Sequence, residues 1–530
     1  MFSIQNTPKL AIIFTLLVYT ATNFSHHNWT RDKGPDRGVI IWDVVSYYAY
    51  LPATVIYRDL SLDFVDEPGF VNDNKFWYQD TETGGKLIIT SMGMSYLYAP
   101  FFFIAHILAP VFKEPRNGFN SIYQFFLVFS SLFYAGAGLI FLRRILLKYF
   151  GDGTAAFTIL LIGLGTNLYQ YATFDAPMSH SYSFSLITIF LLMTIRWYEN
   201  AGLRNSFLTG LLFGLITLVR PTNILVLLIF LLWGVNSVRG LKNRFFYLTS
   251  KSRLIAVMAA GFLIPWIPQF LYWEAVTGHF LFYSYGTVGS RFFFGAPHIA
   301  EILFSFRKGW FIYTPIMLFA FIGLFLPGNN LKEARLPVSA YMVLMIYVQA
   351  SWWTWWFGGG FGSRVFIDTY GIMALPLAAF INHTFRIRSR TVSFAMTGCL
   401  LLLMSYQVFQ TFQYRNLSVH WEGMTWEAYR ENFMKLRTHG RYWQLLSMPD
   451  YELATKGIYV YYKTGEDISF LEGFTESERI HYIEQKICED GKLMKEISRY
   501  ANRSNISRED AIGMVAQRMY EQKMSLHGMD

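Results

Sequence analysis

The chain has 530 residues, of which 53% are hydrophobic and only 15% are charged, and its formal net charge is +9. A soluble protein carries about 25% charged residues, so this composition excludes an ordinary soluble domain and predicts an all-α, polytopic helical membrane protein. Basic residues in short cytoplasmic loops account for the positive charge, which therefore does not predict a nucleic-acid partner.

The apolar runs of the chain predict its membrane-spanning helices, because about 20 apolar residues cross the hydrocarbon core of a bilayer. The predicted fold has about 11–13 transmembrane helices. The runs themselves number eleven or twelve, depending on whether the run broken by Arg220 and Pro221 forms one helix or two. The runs lie at about 8–24, 88–112, 120–142, 154–172, 178–195, 206–219, 222–235, 254–272, 311–327, 336–352, 365–382 and 391–410. The first is interpreted as a retained helix, because no small-residue cleavage site follows it. Residues 1–410 are therefore predicted to form one transmembrane domain.

The segment 25–87 follows the first span and is predicted to be the first outer loop. It holds ten acidic and six basic residues, although the chain as a whole is basic. If 41–57 is a helix at the membrane–water interface, Asp43, Tyr47 and Tyr50 share one of its faces at positions i, i+4 and i+7.

Asp43 is the candidate catalytic residue of this loop. Two roles fit its position: it can cap the helix, or it can act as a general base held at the water–lipid boundary. The spacing leaves both roles open. The neighbouring Tyr47 and Tyr48 are candidate substrate-binding residues at headgroup depth.

Three further candidates are basic or titratable side chains beside apolar runs. Lys86 precedes such a run and fits either a snorkelling helix end or a phosphate ligand. Arg220 has apolar neighbours on both sides, and a buried Arg can bind a phosphate with two hydrogen bonds. His180 lies with Asp175 between two spans. A divalent metal at His180, Asp175 and His106 is an alternative that their spacing does not favour.

The segment 351–364 combines four Trp residues, a glycine run and a final Arg364. An aromatic belt at the membrane interface explains the Trp residues but not the glycines. Trp356 and Arg364 are therefore candidates for binding a sugar or lipid phosphate. No GxSxG, Walker A or GxGxxG motif occurs in the required context, so nucleotide hydrolysis has no support.

Basic residues predict the orientation of the chain. The segments 236–253 and 383–390 are rich in Lys and Arg and are predicted to be cytoplasmic, which places 273–310 and 353–364 outside. The predicted location is the bacterial inner membrane, with the active site on the outer, periplasmic face.

Residues 411–530 are charged and are predicted to form a small, mostly helical soluble domain. The stretch 475–524 has helical character, and Ser507 and Asp510 have the spacing of a capping box.

Five short motifs occur in order along the chain: WDVVSYYAYLPA, GGKLIITSMGMSYLYAPFFFIAH, LVRPTN, RKGWFIYTP, and WWFGGGFGSR leading into ALPLA. In these motifs the chain resembles the GT-C superfamily of integral-membrane glycosyltransferases, which use polyprenyl-phosphate sugars and include the protein mannosyltransferases. The resemblance covers most of residues 1–410.

The resemblance implies an inverting sugar transfer with no certain cofactor. Asp43 would take the proton of the acceptor hydroxyl, and Lys86, Arg220 and Arg364 would hold the donor phosphate. The paired Asp-Glu motif of the protein mannosyltransferases is absent, so the acceptor stays open among a glycan, a lipid and a protein.

Two other function classes remain as alternatives. A transporter or flippase for a lipid-linked or anionic substrate also explains the broken helix at Arg220. A non-catalytic membrane scaffold would bind an assembly partner through residues 411–530. The transporter does not explain the long outer loop with Asp43, and the scaffold predicts that Asp43 is dispensable, so a glycosyltransferase is the favoured function.

Overall fold

The computed structural model describes residues 6–27, 29, 38–73, 75–326, 331–466 and 473–527. Helix makes up 69% of the chain, and the strands of the described residues form two short antiparallel pairs. The predicted all-α class is confirmed. Parts of the predicted outer loop, residues 28, 30–37 and 74, and of the predicted C-terminal domain, residues 467–472 and 528–530, lie outside the described residues.

The helices and strands follow one another in this order. The first part of the chain contains α1 (Thr7–His26), α2 (Asp43–Pro52), β1 (Tyr78–Asp80), β2 (Lys86–Ile88), α3 (Gly93–Leu108), α4 (Ser121–Tyr149), α5 (Asp152–Leu164), α6 (Leu168–Ala172), α7 (Ser179–Glu199), α8 (Leu203–Val219), α9 (Leu227–Leu232), α10 (Val238–Ser250), α11 (Ser252–Leu263) and α12 (Ile267–Thr277). The rest contains α13 (Ile299–Phe304), α14 (Trp310–Tyr313), α15 (Ile316–Phe325), α16 (Arg335–Ala350), α17 (Tyr370–Arg386), α18 (Arg390–Arg415), α19 (Trp426–Glu431), β3 (Ser447–Pro449), α20 (Tyr451–Thr455), β4 (Tyr461–Lys463), α21 (Glu476–Glu489), α22 (Gly491–Ser504) and α23 (Arg508–His527).

Five helical stretches among the described residues are long and apolar enough to cross a membrane. They are Gly93–Phe112, Ser121–Tyr149, Ser252–Thr277, Arg364–Arg386 and Arg390–Arg415. The helices Asp152–Leu164, Leu203–Val219, Pro221–Leu232 and Ile316–Phe325 are apolar but shorter. By length and composition the described helices thus give fewer spans than the sequence predicts.

Two of the predicted spans are interrupted in the structure. Within the predicted span 154–172, the first α-helix ends at Leu164, and the chain becomes helical again only in α6. The predicted span 222–235 begins with the 3₁₀ turn Pro221–Val226, because proline removes a backbone donor and cannot continue the preceding helix.

The chain divides into two compact units. The first unit comprises Met1–Thr287, Tyr313–Ile346 and Arg364–Thr411. The second comprises Val288–Ile312, Tyr347–Ser363 and Phe412–Asp530, so it adds two earlier segments to nearly all of the predicted C-terminal domain.

In the first unit, α8 and α11 pack with their backbones in close contact. A Cβ atom added at Gly210 would lie 1.9 Å from the carbonyl oxygen of Met258, and one at Gly214 would lie 2.2 Å from that of Phe262. Small residues allow such close approach between helices, as in membrane helix pairs. Glycine is therefore required at both positions by packing.

We expect Gly210→Ala to lower the free energy of unfolding by about 1–3 kcal/mol, because the new methyl group overlaps a backbone atom that cannot rotate away. Gly153→Ala is the matched control, since Gly153 is also helical and has no atom within 4 Å of the added Cβ. It should leave stability unchanged or raise it by about 0.5–1 kcal/mol. Unfolding of the full-length protein in mixed micelles measures both. Equal changes in the two variants would refute the close packing.

The second unit contains the predicted helical stretch 475–524, which forms α21, α22 and α23. At the start of α23 the Ser507 hydroxyl accepts from the Asp510 amide at 3.0 Å, as the sequence predicts. The Asp510 carboxylate accepts from that hydroxyl and not from the Ser507 amide, since Asp is shorter than the Glu of a full capping box.

The glycine run of the second unit adopts backbone conformations that favour glycine. Gly358, Gly360 and Gly362 all have positive φ angles, of 65°, 157° and 60°. Such angles favour glycine. The buried Lys308 ammonium donates to the carbonyls of Gly360 and Trp421, so the run folds around a charged side chain.

Candidate functional site

Asp43 begins α2 in the first unit, directly after the cap residue Trp42. Its Oδ2 accepts a hydrogen bond from Arg364 Nη2 at 3.0 Å. No described residue donates to its other carboxylate oxygen. Asp43 therefore does not cap the helix. It has one oxygen held by an arginine and one available, and its side chain is 43% exposed.

Trp42 has a backbone conformation that is unusual for its residue type. Its φ and ψ are 51° and −135°, and the amide of Val44 donates to the carbonyl of Ile41 across it. Type II′ turns use this region at their first central residue and strongly prefer glycine there. A non-glycine residue held in a sparsely populated region costs about 1–3 kcal/mol, and such residues cluster at functional sites.

Arg364 and Asp368 lie in one 3₁₀ turn, Arg364–Thr369, that leads into α17. Asp368 is fully buried. Its Oδ2 accepts from Asn223 Nδ2 at 3.0 Å and lies 3.6 Å from Arg220 Nη1. Its Oδ1 lies 3.2 Å from His180 Nδ1. This carboxylate is therefore the centre of a buried polar network.

His180 Nδ1 also lies 2.9 Å from Arg220 Nη1. A guanidinium only donates and a carboxylate only accepts, so a single ring nitrogen cannot bond to both at once. It either accepts from Arg220 or donates to Asp368. In the first state the imidazole and the carboxylate both hold the Arg220 guanidinium, and in the second the carboxylate alone does.

Tyr47 connects the two arginine groups. Partial burial raises the pKa of its hydroxyl, the Asp43 carboxylate raises it further, and the Arg220 and Arg364 guanidinium groups lower it. Tyr285 is within electrostatic range of Tyr47, Asp43 and Arg220 as well. Asp43, Arg364 and Arg220 are therefore all within electrostatic range of Tyr47, and the term cluster is used for this group of residues.

Each arginine of the cluster is paired with an acid. Arg364 is paired with Asp43 and is also within electrostatic range of Asp175, and Arg220 is paired with Asp368. Exposure increases from the fully buried Asp368, through the arginines at 17%, to Asp43 at 43%. The buried Asp368 therefore has a supporting position, whereas the more exposed Asp43 has a carboxylate oxygen that a substrate can reach.

Lys86 pairs with acids of the first unit other than Asp43. Its ammonium lies 2.7 Å from Asp66 Oδ2 and 4.0 Å from Asp63 Oδ1, both in the predicted outer loop. The hydrogen bond to Asp66 raises the pKa of Lys86. The structure therefore pairs Lys86 with acids of its own loop, and no described contact joins it to Asp43.

Tyr48 and Trp356 are buried packing residues. The Tyr48 hydroxyl donates to the carbonyl of Gly118, and its ring packs against Phe102. Trp356 belongs to the second unit, where its Nε1 donates to Glu422 Oε1 at 3.0 Å. Of the residues predicted from the sequence, the structure thus brings together Asp43, Tyr47, His180, Arg220 and Arg364.

Asp368, Asn223 and Tyr285 are members of the cluster that the sequence interpretation missed. Asp368 offered a usable signal, because it is an acid within the predicted span 365–382. No group of three or more His, Cys, Asp or Glu side chains in the described part of the chain is arranged to hold a metal ion.

No protein-family model matches the chain, and no curated protein matches it either. The superfamily resemblance therefore stays a prediction.

Proposed function

We propose that the protein is an inverting membrane glycosyltransferase that moves a sugar from a polyprenyl-phosphate donor to an acceptor hydroxyl. The observation that carries the proposal is the accessible Asp43 carboxylate, held through one oxygen by Arg364. Arg220 belongs to the same cluster. A carboxylate paired with one guanidinium group, with a second guanidinium group within electrostatic range of the same tyrosine, supplies the base and the phosphate ligands that this reaction needs.

The reaction is a single displacement. The acceptor oxygen attacks the anomeric carbon of the donor sugar while its proton passes to the available oxygen of Asp43. The bond between the anomeric carbon and the phosphate oxygen breaks, and the polyprenyl phosphate leaves with the electron pair. Arg364 and Arg220 stabilise the negative charge that develops on this phosphate. No covalent intermediate is required.

The ion pair between Arg364 and Asp43 couples donor binding to this step. Because Arg364 already pairs with Asp43, an incoming phosphate has to share or replace that carboxylate as its partner. As Arg364 turns toward the phosphate, its hold on Asp43 weakens and the carboxylate becomes available to the acceptor. The buried Asp368 keeps Arg220 in place during this exchange.

The proposal places the protein in a bacterial inner membrane, with the site on the outer face. Five described helices are long and apolar enough to span a bilayer, which supports a membrane location. A lipid-linked donor presents its phosphate at headgroup depth, where a half-exposed acid beside buried arginines can meet it. The acceptor class is a glycan, a lipid or a protein.

Proteoliposomes that contain the full-length protein distinguish the transferase from a transporter. Radiolabelled polyprenyl-phosphate sugars are supplied in the bilayer, together with a mixed acceptor extract. We expect label to leave the lipid fraction and become covalently bound to acceptor. Label that crosses the bilayer while it stays on its lipid carrier would instead support the transporter and reject the proposal.

A further inference from the structure

Trp42 is the residue directly before Asp43, and its indole is 67% exposed. Trp77 is half-buried, and its ring centre lies 6.2 Å from that of Trp42, with the two planes at 69°. The two indoles therefore form an open corner beside the accessible acid of the cluster.

A bilayer anchor does not explain this arrangement. An interfacial tryptophan needs only to reach headgroup depth, which it can do from any ordinary backbone conformation. Trp42 instead occupies a conformation that favours glycine, at a tight turn onto α2. A turn alone would be better served by glycine, so the side chain itself has to contribute something at this position.

We propose that Trp42 and Trp77 form the platform on which a pyranose ring of the acceptor stacks. A pyranose presents an apolar face of C–H groups, and flat aromatic side chains combined with a few polar groups are typical of ligand sites. Trp42 and Asp43 are consecutive residues with Cα atoms about 3.8 Å apart, so a sugar bound at Trp42 lies next to the residue that carries the proposed base. The inference rests on the proposed function and assigns the acceptor to carbohydrate-containing molecules.

Charge supports the acceptor and not the donor as the occupant. The donor phosphate requires guanidinium groups, and no described contact joins Arg220 or Arg364 to Trp42 or Trp77. The indole corner offers aromatic surface. A neutral sugar ring therefore fits the corner better than the phosphate end of the donor does.

The test measures binding without any transfer reaction. Saturation-transfer NMR is recorded on the full-length protein in lipid nanodiscs with the methyl glycosides of glucose, galactose and mannose. We expect saturation of the C–H protons on one ring face with at least one glycoside. Trp42→Ala should weaken this binding about tenfold, and Trp42→Phe should retain part of it. Trp426→Ala is the matched control, because Trp426 is 49% exposed and lies in the second unit.

Trp42→Gly separates binding from folding. It removes the backbone strain, so its unfolding midpoint should equal or exceed that of the wild type, while glycoside binding is lost. Equal binding by wild type and Trp42→Ala, or no glycoside binding by wild type, would overturn the platform. A wild type that binds glycosides at Trp42 but transfers no sugar would leave the platform standing and reject only the glycosyltransferase.

Discussion

Asp43→Asn is expected to lower the rate of sugar transfer by about 10²–10⁴-fold, the range that general-base catalysis contributes. Asparagine has nearly the same shape, and its amide oxygen can still accept from Arg364, so the local structure should persist. It cannot accept the proton of the acceptor hydroxyl. The loss should therefore appear in kcat, measured with saturating donor, and donor affinity should change little.

Two variants control for nonspecific effects at Asp43. Asp43→Glu restores a carboxylate, displaced by one methylene group, and should recover part of the lost activity. Asp80→Asn changes an exposed acid of the same predicted loop and should transfer sugar at the wild-type rate. An Asp43→Asn protein that folds normally and transfers sugar as fast as Asp80→Asn would remove Asp43 from the catalytic step.

Asp368→Ala is expected to lower the free energy of unfolding by about 3–5 kcal/mol, because removing one partner of a buried ion pair leaves the other charge uncompensated. Arg220 would keep its charge, and Asn223 would lose the acceptor of its 3.0 Å hydrogen bond. Asp368→Asn should cost less, since it keeps an acceptor for Asn223. Unfolding of the full-length protein in mixed micelles measures both variants.

A double-mutant cycle separates the pairing of charges from the loss of side-chain volume. If Asp368 acts by compensating Arg220, then Arg220→Met combined with Asp368→Leu should be more stable than Asp368→Leu alone, because no buried charge remains unpaired. Asp80→Ala, at an exposed acid, should stay within about 0.5 kcal/mol of the wild type. An Asp368→Ala protein as stable as Asp80→Ala would show that the buried network does not hold the site together.

The sequence was informative wherever a charge stood among apolar residues. Arg220 could be selected because ionisable groups are costly inside a membrane and are kept for a reason, whereas Arg364 was selected because it ends the Trp and glycine run of 351–364. The same rule applies to Asp368, four residues after Arg364 and inside a predicted span. The sequence therefore contained enough information to select Asp368 as a candidate.

Other contacts could not be derived from the chain alone. Lys86 looked like a phosphate ligand, but its partner Asp66 lies twenty residues earlier, and nothing in the spacing indicates that the loop folds back on itself. Trp356 stood beside Arg364 in the same motif, yet the chain passes from the second unit to the first between Ser363 and Arg364. Tyr285 joins the cluster through tertiary packing, which hydrophobic periodicity does not describe.

The helical class followed from composition, but helix lengths did not. Apolar runs such as 154–172 were long enough to span a bilayer, whereas the structure breaks this one between Leu164 and Leu168. Window hydropathy detects how apolar a run is and does not detect the local turns that divide it.

The anomeric configuration of the product tests the central claim most directly. Purified protein in lipid is given a polyprenyl-phosphate sugar of known configuration, labelled with ¹³C at the anomeric carbon, together with a mixed acceptor extract. The one-bond carbon–hydrogen coupling of the isolated product then reports the configuration at that carbon. A single displacement assisted by Asp43 predicts complete inversion. Retention of configuration, or no covalent transfer at all, would contradict the account.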